Sequence, residues 1–227
     1  MRRPIVVVLV AALAVGLAPR PAEAAGPALS RTVARPERIA GLRGATQALV
    51  VTSVTWGSTR AHLRAYRKVG GRWRLVRGPM PARVGYNGFS ANRREGDGTT
   101  PAGTFGFVYG FGSQPNPGLR GFAWRRLQPN SCWSGSRADY NRWVTRPCTR
   151  GESLWKNRHV AYRYAAVIDF NYRRPVYKKG SGIFLHQQTG GPTAGCVSLS
   201  GRHLVRVLRW LRPGTRIAMG PARYLAP

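Results

Sequence analysis

The stretch SGIFLHQQTGGPTAGCVSLS, residues 181–200, runs from a short apolar segment ending at His186, through a loop of Gln, Thr, Gly and Pro, to Cys196 among small residues. The 227-residue chain has only three cysteines and four histidines, and one of each stands here. Read outward, GIFLHQ predicts a strand that ends at His186, and AGCVSLS predicts the approach to the next element. A loop this rich in turn formers can bring its two ends together and set the imidazole against the thiol. Cys–His chemistry needs that placement. A neutral imidazole accepts the thiol proton, and the resulting imidazolium–thiolate pair lowers the thiol below its free pKa of about 8.5. Gly195 lets the backbone turn sharply before the sulfur. Successive N–H groups at Ala194, Gly195 and Cys196 are then candidates for holding a developing oxyanion.

The cysteine count supports a reserved thiol. Cys132 and Cys148 flank WSGSRADYNRWVTRP, a polar, turn-rich segment suited to closure by a disulfide, which leaves Cys196 unpaired. An oxidising compartment follows from the N-terminus. Residues 1–24 read as a secretory signal peptide, with basic Arg2 and Arg3, an apolar core over 5–17, and small residues at Ala22 and Ala24. Residues 25–45 read as a flexible lead-in, and 46–227 as a single domain carrying an inserted, disulfide-closed segment around 113–158. No later segment is apolar enough to cross a membrane.

Charge narrows the class of partner. Lys and Arg number 37 against seven Asp and Glu, a formal net charge of +30, and only four of the cations are Lys. The charges are scattered and form no block, which points away from specific nucleic-acid binding and toward anionic wall polymers, or toward coding bias alone. Metal chemistry finds no H-E-x-x-H, C-x-x-C or clustered His/Asp set, and no cofactor motif is present. Glu95 and Asp97 lie too close together in a Gly-rich loop for a glycosidase pair and read as a turn. Asp169, alternating with apolar neighbours, reads as a structural acid.

The remaining pattern is mostly β. QALVVTSV reads as a strand, RAHLRAYRKV–GG–RWRLV as a hairpin, and ARVGYNGF, GTFGFVYGFG, YAAVIDFNY and TRIAMG as further strands. One helix is expected over 200–214, capped by Ser200 and stopped at Pro213, with Leu204, Val205, Leu208 and Leu211 facing inward. His203 falls on this helix; His62 and His159 have no chemical context. Trp124, Trp133, Trp143 and Trp155 are assigned to packing, with a groove as the other reading.

With these residues in view, H…T-x-G-C-V, read here from His186 through Thr193, Gly195 and Cys196 to Val197, resembles the signature of the L,D-transpeptidases with the YkuD-type catalytic domain. DGTTPAGTF (97–105) resembles that family's upstream TP-x-G-x-F hairpin. The resemblance covers roughly 47–220 and implies a mixed-strand β-sandwich with one helix after the Cys loop. It also implies Cys196 as acyl-accepting nucleophile, His186 as general base, Gly195 as oxyanion backbone, and Thr193, Ala194 and Ser198 as positions meeting substrate. Ala194 stands where many members carry His, and Ser198 where Arg or Asn is usual.

The expected function is a secreted, monomeric cysteine acyltransferase of cell-wall biogenesis, acting on peptidoglycan stem peptides without a cofactor and acylated by carbapenems. The alternatives are an L,D-carboxypeptidase or endopeptidase of the same family, and a non-catalytic basic domain that binds the wall or another polyanion. A papain-like protease is set aside because its Cys precedes its His.

Overall fold

The computed structural model describes residues 34–227, so the signal peptide assigned to residues 1–24 and the first part of the lead-in lie outside the described residues. The described part of the lead-in is packed against the sheet. Two 3-10 turns, Pro36–Arg38 and Ala40–Leu42, bury Ile39 and Leu42 in a cluster with Tyr66, Ala218 and Leu225. Side chains three apart fall on one side of a 3-10 turn, a period too brief to register over a longer window.

Strand β1 (Gln47–Ser53) is buried along its whole length, as an Ala/Leu/Val/Thr run covered on both faces must be. It pairs antiparallel with β2 (Arg60–Val69), which turns through Gly70 and Gly71 into β3 (Arg72–Arg83). Both glycines take positive φ, 54° and 77°, as a two-residue hairpin turn requires. Beyond Arg83 the expected strand over ARVGYNGF is mostly loop. Only β4 (Phe89–Ser90) forms there, paired with β5 (Thr100–Pro101). Next come β6 (Gly103–Phe105), β7 (Phe107–Gly112) and β8 (Trp124–Arg126).

The inserted segment has its own small sheet. Strands β9 (Ser131–Ser134), β10 (Arg142–Thr145) and β11 (Gly151–Ser153) pair antiparallel in the order β10-β9-β11, and the Cys132–Cys148 disulfide closes it with a Cα–Cα distance of 5.3 Å. The chain then returns through β12 (Ala165–Ile168), β13 (Phe184–Gln187), β14 (Val197–Leu199), α1 (Gly201–Trp210), β15 (Arg216–Pro221) and a final turn of helix, α2 (Ala222–Leu225). Ten strands join in one mixed sheet, β6-β15-β1-β2-β3-β14-β13-β12-β7-β8. The mainly-β class and the helix after the Cys loop are thus present, with α2 in addition.

The two halves of the sheet share one core, in which Leu49 and Leu63 fall with Ala166, Leu185 and the α1 residues Leu204 and Leu208. On α1 it is Val207, not Val205, that is buried beside Leu204 and Leu208. The i, i+3, i+4, i+7 rule accounts for this, because 204, 207, 208 and 211 centre the stripe and leave 205 on its flank. Ser200 holds the N-cap position but makes no side-chain cap bond. Among the described residues no helix is long and apolar enough to cross a membrane.

The disulfide spans 16 positions in sequence, and removing a cross-link over a loop of that size costs about 3 kcal/mol through the unfolded chain. Cys132→Ser is expected to lower the unfolding free energy by about that amount in urea titration; an unchanged midpoint would show that the small sheet holds without its bridge.

Candidate active site

Strands β13 and β14 run parallel, with Leu185 against Val197 and His186 against Ser198. That register sets the residue before β14 beside the first residue of β13. The Phe184 N–H accordingly donates to Cys196 Sγ at 3.3 Å, and the thiol donates to the Gly182 carbonyl at 3.2 Å. His186 and Cys196, 6% and 9% exposed, line the same cavity of about 540 Å³. The His186 Nδ1 lies 2.7 Å from the Gln187 carbonyl. A carbonyl can only accept, so Nδ1 carries the proton and Nε2 keeps a lone pair.

Burial sets the resting charge state. It lowers His186 from 6.5 to about 4, against the raising effect of the Gln187 carbonyl. The Cys196 thiol is pushed from 9.0 to about 12 by burial and by the charge of Glu152, while the Phe184 N–H and Arg93 pull the other way. A lowered thiol pKa, expected from the pairing of Cys with His, is therefore not what the fold provides. Both groups rest neutral, which is the protonation state that general-base catalysis on a thiol starts from.

The turn before the sulfur is held from several sides. Gly195 has φ of +142°, and a Cβ there would lie 2.4 Å from Arg93 Nη1 and 2.7 Å from the Thr99 carbonyl, so only glycine fits. Its N–H donates to Thr193 Oγ1 at 3.1 Å, and that hydroxyl donates to the Cys196 carbonyl at 2.7 Å. Gly195 and Thr193, expected at the oxyanion and the substrate, thus use these groups inside the turn. The Thr193 backbone also ties the turn to Val84 and Tyr86. Ala194 is exposed at the cavity, whereas Ser198 is 1% exposed and outside the lining, its hydroxyl without a partner among the described residues.

Arg93 gave no signal in the sequence, being one of many arginines. It is buried, and Nη1 donates to the carbonyls of Thr99 and, at 3.5 Å, Ala194, and to Asp97 at 3.2 Å. Asp97 also accepts the Arg94 and Thr99 N–H groups and the Thr99 hydroxyl. Burial works against the charged form, yet these bonds and Arg93 hold Asp97 below the usual carboxylate range. The turn assigned to Glu95 and Asp97 is what forms. Asp169 pairs with Arg173 at 2.6 Å, as a structural acid does.

The insertion and the turn after it supply another part of the lining. Trp133, Glu152 and Tyr162 line the cavity with Cys196. The Tyr162 ring stands edge-on to both Phe184 and His186, each at 5.8 Å between centroids, and its hydroxyl donates to Glu152. Trp124, Trp143 and Trp155 pack against core clusters. His62, His159 and His203 are not among the cavity-lining residues. No group of three or more His, Cys, Asp and Glu side chains among the described residues is placed to hold a metal ion.

A family model described as YkuD, L,D-transpeptidase catalytic domain, matches residues 56–219. Among solved structures, L,D-transpeptidase 1 of Mycobacterium tuberculosis is similar over 77% of this chain and 62% of its own, at 15% identity and a TM-score of 0.36. The helical cell shape determining protein Pgp2 of Campylobacter jejuni is similar over 77% of this chain and 47% of its own, at 14% identity and a TM-score of 0.39. The chain thus spans less than two thirds of either protein. No curated protein sequence matches it.

The pKa directions fix a dependence of stability on pH. Between 6.5 and about 4 the unfolded chain binds the His186 proton and the native state does not, so stability is lost as pH falls through that window. At 1.36 kcal/mol per pKa unit the loss is on the order of 3 kcal/mol. Between 9.0 and about 12 the unfolded chain releases the Cys196 proton first, so stability also falls as pH rises there. Urea midpoints measured across the acid window are expected to decline less steeply in His186→Gln than in the native chain; equal slopes would mean that His186 titrates alike in both states.

Proposed function

Because the chain belongs to the L,D-transpeptidase (YkuD) catalytic-domain family, we propose that it is a cysteine acyltransferase acting on peptidoglycan stem peptides outside the cytoplasm. The observation that carries this reading is one cavity lined by an unpaired thiol and by a neutral imidazole whose Nε2 is free to act as base. A disulfide in the same chain suits an oxidising compartment.

In the first half-reaction, Cys196 Sγ forms a bond to the carbonyl carbon of a stem-peptide amide as its proton passes to His186 Nε2. The carbonyl electron pair moves onto oxygen. The Gly195 N–H is engaged with Thr193 Oγ1, so the Ala194 and Cys196 N–H groups, without acceptors among the described residues, are the donors left in this turn to meet the oxyanion. Collapse of the intermediate breaks the C–N bond, the leaving amine takes the proton from His186, and a thioester remains on Cys196. In the second half-reaction an amine attacks the thioester, forms the new amide and returns the thiol. If water attacks instead, the product is a trimmed peptide, which is the carboxypeptidase or endopeptidase reading.

The rival is a non-catalytic wall- or polyanion-binding domain, favoured by the net charge of +30 and by the thiol pushed up to about 12. Polyanion binding weakens steeply with salt, and covalent chemistry at Cys196 does not follow that slope. Intact-mass analysis after incubation with a carbapenem separates the two. One adduct is expected on the native chain, none on Cys196→Ala, and slower formation on His186→Ala. Absence of an adduct on the native chain, together with alkylation of Cys196 no faster than that of free cysteine, would favour the binding domain.

A further inference from the structure

Glu152 lies on β11 of the disulfide-closed insertion, half-buried, and lines the cavity that holds Cys196 and His186. The hydrogen bonds it receives among the described residues, from the Tyr162 hydroxyl and at 3.3 Å from Asn157 Nδ2, both fall on Oε1. Oε2 is therefore the oxygen left for a ligand. Tyr162 is itself buried edge-on to the His186 ring, so the carboxylate is fixed relative to the base. The other charged groups on this cavity are Arg93, committed to Asp97 and to the Thr99 and Ala194 carbonyls, and Glu95, whose carboxylate takes the Tyr140 and Ser181 hydroxyls.

A carboxylate in this position opposes the first half-reaction. Its charge helps to push the neighbouring thiol up and so disfavours the thiolate. The opposition ends when a cation enters. In a chain of net charge +30 with seven carboxylates, an ammonium ion approaching the cavity is repelled by the general field, and a carboxylate inside is what reverses that locally.

Resting on the acyltransferase reading above, we propose that Glu152 binds the ammonium group of the acyl acceptor and takes its first proton. The balance is complete with these groups. R–NH3+ gives one proton to the Glu152 carboxylate, and the freed lone pair forms the N–C bond to the thioester carbonyl. The C–S bond breaks, and the second N–H proton passes through His186 to the sulfur, restoring the thiol; Glu152 then returns its proton to water. The insertion is on this account an acceptor-binding element.

The test forms the Cys196 thioester from a stem tetrapeptide and measures its partition between hydrolysis and capture. Two acceptors are compared: a stem peptide with a free side-chain ammonium, and hydroxylamine, which is uncharged at neutral pH. Glu152→Gln is expected to raise KM for the ammonium-bearing peptide about ten- to a hundredfold, the range of a charge-assisted bond, and to depress hydroxylamine capture by far less. Glu152→Asp, which keeps the charge, is expected to recover part of the loss. Equal losses with both acceptors would make Glu152 a structural residue and overturn the proposal. So would slowing of thioester formation by as much as capture, which would assign the carboxylate to the donor. A native chain that forms the thioester but passes it only to water overturns the proposal and leaves Cys196 a nucleophile. A native chain that forms no thioester removes the acyltransferase reading itself.

Discussion

The site depends on the parallel register of β13 and β14. Pairing of Leu185 with Val197 leaves Cys196 one residue short of the ladder, so its side chain takes the Phe184 N–H that a backbone carbonyl would otherwise accept. A slip of one residue would turn His186 to the other face of the sheet. The register is held by apolar neighbours on both sides, since Ala166 lies across from Leu185, and Leu185, Val197 and Leu199 are all fully buried. Hydrophobic burial in the sheet thus fixes a polar contact at the start of these two strands, and through it the position of the thiol.

A second constraint joins two parts of the sequence that are about a hundred residues apart. The Arg93 guanidinium bridges the carbonyls of Thr99 and Ala194, and Thr100 Oγ1 accepts from the Gly85 N–H while its hydroxyl donates to the Cys196 carbonyl. DGTTPAGTF and TAGCV are therefore two walls of one turn. Arg93 also explains why residue 195 has no side chain, because the guanidinium occupies the space a Cβ would need. A buried cation is costly unless it is bonded, and Asp97 with the two carbonyls supplies those bonds.

Legibility in the sequence followed the range of the interactions. The strand at 47–53 and the two-glycine hairpin are local patterns, and they appear in the structure close to where period and turn chemistry put them; His186 and Cys196 line one cavity. Arg93 was invisible because its role comes from the fold bringing residues 93 and 194 together, and a chain with 37 Lys and Arg offers no contrast. Glu152 did carry a signal, since it is one of only seven acids in the chain and lies inside the insertion, but Tyr162 and the cavity became its context only in the folded structure. The packing of Ile39 and Leu42 was missed because two single turns are too short to show a period.

The resting pKa directions also bear on how such a thiol persists and on how it would react in the proposed role. Thiolates, not thiols, are oxidised and alkylated, and a buried neutral Cys196 whose proton is donated to the Gly182 carbonyl is held back from both. The same directions favour a neutral thiol and a neutral imidazole over a preformed ion pair at rest. On the acyltransferase reading proposed above, proton transfer is then coupled to formation of the S–C bond, with charge passing to the substrate oxygen. On that reading, the low-dielectric cavity that holds the thiol neutral also strengthens each hydrogen bond to an oxyanion formed within it.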